Sequence, residues 1–104
     1  MGLNIASTLQ SAVSQATGEL GESGGEIADG LAKIVAQKQE SLTQLSNALL
    51  QGEISETEFA EEMKRESLVI EAELISIEIA GKAAIQKAVN GFVNTLIGTV
   101  TKAV

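Results

Sequence analysis

A helix stop and a helix start sit side by side near the middle of the chain, and they constrain the fold more than any other feature. Gly52 suits the left-handed position that ends a helix. Ser55-Glu56-Thr57-Glu58 has the spacing of a capping box, with Ser55 as N-cap and Glu58 reaching back to it. Acidic residues in the turn that follows suit the positive end of the helix dipole. Helix, short turn, helix is the expectation, and hence an antiparallel hairpin turning over residues 52–55. No proline interrupts either arm.

The arm before the turn is predicted over residues 26–51. Ala28, Leu31, Val35, Lys38, Leu42, Leu45 and Leu49 step alternately by three and four, a heptad seam with one charge in it. Ile27, Ile34 and Leu50 widen the stripe. Lys38 is expected to snorkel or to pair with an acid on a neighbouring helix. The arm after the turn is predicted as one helix over residues 56–102, with a possible kink at Gly81. Ile75, Ile77 and Ile79 alternate as in a strand, but strong helix formers flank them, no turn residue bounds them and no second strand exists to pair with.

Residues 3–17 carry Ile5, Leu9, Val13 and Ala16 at helical spacing, with Leu20 four further on. Such an uncharged helix is marginal alone and needs docking. Residues 18–25 hold four glycines and read as a hinge. They do not form a phosphate loop: the Lys-Ser/Thr pair is missing, and Glu19 and Glu22 would repel phosphate. The expected fold is all-α and one domain over residues 1–104: an antiparallel hairpin of two long helices plus a short N-terminal helix, bundle-like and completed by oligomerisation. At 1.5 Å per residue the arms differ by about 30 Å. The C-terminal end should therefore project past its partner unless the helix bends at Gly81 or the N-terminal helix covers it.

That end carries two stripes. Gly81, Ala84, Ala88, Gly91, Thr95 and Gly98 form a seam of small residues at heptad spacing, and Ile85, Val89, Phe92, Leu96 and Val100, with Ala103, form an apolar stripe. Each glycine costs a helix about 1 kcal/mol relative to alanine. Three on one face make sense where another backbone approaches closely. The seam is the predicted self-association site. Gly52, Ser55 and Glu58 are assigned to the helix cap.

Several chemistries are excluded or disfavoured by composition. With no Cys and no His, the chain lacks a disulfide, a thiol nucleophile, the commonest general base and the commonest transition-metal ligand. Gly52, Ile54 and Glu58 match the second half of an EF-hand loop, but the first half would be Asn47, Leu49 and Gln51, which cannot hold calcium. Glu58, Glu61, Glu62 and Glu66 lack the Glu-x-x-His partners of a di-iron bundle and read as a solvated face, with Glu61 and Arg65 as an i,i+4 pair. No catalytic residue, cofactor, metal or small-molecule substrate is expected. Residues 49–64 resemble the short C-terminal helical-hairpin modules appended to many bacterial proteins. The resemblance implies a helical hairpin and nothing about activity.

Net charge is −7, which argues against nucleic acid. The charge is uneven: residues 53–78 hold nine Glu against Lys64 and Arg65, whereas residues 79–104 hold Lys82, Lys87 and Lys102 and no acid. No charged and then apolar leader opens the chain, Ala6 stands where a myristoylation signal needs Ser or Thr, and no long uncharged apolar run exists. The expected location is the cytoplasm, at most peripheral to a membrane. The leading functional expectation is a structural or interaction protein that self-associates. The alternative is a membrane-surface protein acting through residues 82–104. A third is an adaptor whose acidic residues 53–78 meet a basic partner.

Overall fold

A computed structural model describes residues 4–18, 24–77 and 81–103. Among them are five helices and no strand: α1 (Ile5–Thr17), α2 (Gly24–Gln37), α3 (Gln39–Leu50), α4 (Glu56–Ser76) and α5 (Lys82–Lys102). The all-α expectation holds. Each arm that the sequence predicts as one helix is two here. Of the predicted hinge, residues 19–23 lie outside the described residues, and Gly24 and Gly25 already belong to α2.

The central turn is built from backbone bonds that its residue types favour. Gly52 adopts φ 77°. Its N–H donates to the Leu49 carbonyl (3.0 Å), and the Glu53 N–H donates to the Ala48 carbonyl (2.8 Å). This is the paired bonding of a Schellman stop. Three residues on, the Glu58 N–H donates to Ser55 Oγ (3.1 Å) and the Ser55 N–H donates to Glu58 Oε1 (3.2 Å). Ile54 and Phe59 occupy the flanking staple positions, and both join the core. At the other end of the chain, Asn4 caps α1 by accepting from the Ser7 N–H at 3.1 Å.

Lys38 interrupts the first arm with φ −101° and ψ 7°. The bend falls where the apolar seam carries its only charge, within the polar run Gln37-Lys38-Gln39-Glu40. There the lysine ammonium reaches Glu66 of α4 at 3.8 Å. In the second arm α4 ends at Ser76 with Ile77 as its C-cap, and α5 begins at Lys82 after Gly81, whose ψ of 149° is extended. A continuous 56–102 helix would be about 70 Å long, yet the longest dimension of the molecule is 39 Å. The predicted overhang is therefore absent. α5 returns along α4, because a straight helix would leave the apolar stripe of α5 in water.

α5 packs against both α4 and α1, α1 also lies on α2, and α2 and α3 lie on α4. The shared core takes Leu31, Leu42, Phe59, Met63, Ile70, Leu74, Phe92 and Leu96, all fully buried. Hydroxyls within it bond to their own helices: Ser46 Oγ donates to the Leu42 carbonyl (2.9 Å) and Thr17 Oγ1 to the Val13 carbonyl (2.8 Å). The radius of gyration, 13.1 Å, is what a compact chain of this length has, about 13 Å.

Because Gly52 holds a left-handed conformation, Gly52→Ala should lower unfolding free energy by about 1–2 kcal/mol. Ser55→Ala should lower it by about 1 kcal/mol through loss of the cap. Urea denaturation of the two variants measures both.

Candidate interaction surface

The apolar stripe of α5 is not a surface. Ile85, Val89, Phe92, Leu96 and Val100 are each 0% exposed. The small-residue seam is divided. Ala88 is fully buried. Gly91 faces α1, where a Cβ added to it would stand 3.4 Å from the Cβ of Ala16. Ala84 and Thr95 are half-buried. Gly81 is exposed, Gly98 is half-buried, and an added Cβ at either would meet nothing within 4 Å. The close approach that the seam permits is thus taken, in its middle, by this chain's own N-terminal helix. α1 lends Ala12, fully buried, and Ala16 to that contact. Gly52, Ser55 and Glu58 are exposed and act as a cap.

The surface feature that the sequence reading missed lies on α4. The core stripe of this helix is Phe59, Met63, Ser67, Ile70 and Leu74. Leu68 (60% exposed), Val69 (43%) and Ile75 (36%) stand off that stripe, and Ile77 (52%) follows at its end. Glu61, Arg65, Leu68, Ala72 and Ile75 are all exposed and step by four, three, four and three. They make a second heptad-spaced ridge, pointing outward. Its signal was in the sequence: once one stripe is assigned to the core, the remaining aliphatics have no inward position.

Acidic groups surround this ridge. Between α3 and α4 runs a groove of about 510 Å³, floored by Leu45, Ala48 and Ile54 and walled on the α4 side by Glu58, Glu61, Glu62 and Glu66. Two of these acids have cationic neighbours: Arg65 pairs with Glu62 at 2.6 Å and Lys38 with Glu66 at 3.8 Å. The expected Glu61–Arg65 pair is replaced by this closer Glu62–Arg65 contact. Gln86 Nε2 of α5 donates to Glu71 Oε1 at 3.0 Å, which ties the far side of α4 to its neighbour. Among the described residues, no group of three or more acids is arranged to hold a metal ion, and no helix is long and apolar enough to cross a membrane. Comparison with known protein families, with curated proteins and with solved structures finds no match.

The two seam glycines should behave differently. Gly98→Ala adds a Cβ into open space in a helix interior, so it should raise stability by up to about 1 kcal/mol. Gly91→Leu should lower stability by about 1–3 kcal/mol through overpacking against α1, and should make residues 4–18 more sensitive to protease. Thermal unfolding and limited proteolysis read the two effects.

Proposed function

We propose that this protein is non-enzymatic and works by docking helices on its surface, with self-association through helix packing as the first interaction to test. The observation that carries the reading is the exposed aliphatic ridge on α4. Single exposed leucines are ordinary. Here four large aliphatics fall between positions 68 and 77, outside a core that the other helices already fill. Exposed aliphatics grouped in so short a segment suit a contact site.

The routes to self-association change in this light. The sequence suggested it from an unmatched helix end and a free small-residue seam. α5 folds back, and α1 covers Gly91, so the open surfaces now include the α4 ridge and the free sides of Gly81 and Gly98. Two α4 ridges would also bring their glutamates together, so pairing should be weak and should strengthen as salt screens the repulsion. Binding to membrane surfaces through residues 82–104 is less well supported, since the apolar side of α5 is covered by α1 and α4.

Size exclusion with light scattering tests the reading. The mass should rise above 10.8 kDa with concentration and with added sodium chloride. The paired change Leu68→Ser and Ile75→Ser should hold it at the monomer value. A wild-type mass that stays at 10.8 kDa at every concentration and salt level would refute self-association.

A further inference from the structure

We infer that the outer face of α4, with the groove it shares with α3, docks a basic amphipathic helix of another protein; the inference rests on reading α4 as the interaction face. Two independent properties of that face coincide. The first is apolar: the groove is floored by Leu45, Ala48 and Ile54, and the helix that walls it exposes Leu68 and Val69. Leu68 stands seven residues after Glu61, and Val69 seven after Glu62, each on the same side of the helix as its acid. The second is charge. The α4 wall of the groove is Glu58, Glu61, Glu62 and Glu66, against two cations that pair within it, Arg65 with Glu62 and Lys38 with Glu66. A ligand matching both has an aliphatic stripe flanked by lysines or arginines, as in helix-in-groove recognition.

The alternative occupants fit less well. A second copy brings the same acidic excess on its own α4. Its cationic helix, α5, cannot offer an amphipathic face, because Ile85, Val89, Phe92, Leu96 and Val100 are all buried. Nucleic acid and anionic lipid share the sign of the surface. Along the axis, the face from Glu58 to Ile75 spans about 26 Å, the length of a helix of about 17 residues.

The test titrates the 104-residue chain into a labelled peptide of about 18 residues, made of leucine and lysine in an amphipathic helical order, and reads anisotropy. Two controls accompany it: the same composition scrambled, and the amphipathic order with Gln in place of Lys. The basic amphipathic peptide should bind one to one and at least tenfold more tightly than either control. Glu61→Gln, Glu62→Gln and Glu66→Gln together should weaken it roughly tenfold. Leu68→Ser with Val69→Ser should weaken it by a similar factor. Circular dichroism verifies that each variant keeps its helix content. Equal binding of the scrambled peptide would overturn helix docking. Equal binding of the Gln peptide would overturn the basic chemistry while leaving α4 as an interaction face. If neither amphipathic peptide binds, the inference fails, while self-association stands or falls on the mass measurement above.

Discussion

The fold depends on burying α5 from two sides. Its stripe of Ile85, Val89, Phe92, Leu96 and Val100 reaches zero exposure because α1 and α4 lie against it, with smaller contacts from α2 and α3. At about 25 cal/mol per Å² of apolar surface, five fully buried aliphatic and aromatic side chains weigh heavily in a domain whose net stability is about 5–15 kcal/mol. Other features follow from this burial. The helix predicted over 56–102 must stop so that its second half can return along its first. The small residues of α5 must face a close neighbour, and the uncharged α1, too weak to persist alone, finds its docking site there. Ala16 and Gly91 are small where the two backbones approach.

Much of the local structure was legible in the sequence, because it is set by residues a few positions apart. Gly52, Ser55 and Glu58 form the stop and cap that their spacing implied. Lys38, an isolated charge in an apolar seam, finds an acid on α4. What the sequence hid was set over longer distances. Near Gly81 only the glycine and the β-branched alternation of Ile75, Ile77 and Ile79 argue against a continuous helix, and strong helix formers on both sides argue for it. Part of the gain that favours the reversal comes from α1, some seventy residues away in sequence, and no local pattern reports it. The same limit explains the reading of the seam. A small-residue stripe states that something approaches closely, but not whether that something is the same chain.

The exposed ridge of α4 shows the reverse case. Its aliphatics are plain in the sequence, but only a core that is complete without them shows that they have no inward position. Leu68, Val69 and Ile75 share a helix with seven glutamates, and this combination shapes the functional account. Apolar contact area favours association, while the acidic rim discriminates among partners by sign, disfavouring copies of itself and anionic polymers and favouring cationic helices. Binding at this face need not disturb the packing of α1 on α5, since α1 covers a different helix. The modest size of the ridge points to contacts of limited affinity, tuned by salt and by the charge of the partner.

The central claim is that α1 packs on α5 within one chain, and a cross-link tests it most directly. The separation of 3.4 Å between the Ala16 Cβ and a Cβ built at Gly91 is close to that of a disulfide, roughly 3.5–4.5 Å, and the chain has no cysteine of its own to interfere. The double variant Ala16→Cys with Gly91→Cys, oxidised mildly at low concentration, is the measurement. The account predicts a bridge within each chain, with the mass remaining that of a monomer. Free thiols after oxidation, or bridges joining two chains, would contradict it and return α5 to the role of an intermolecular surface.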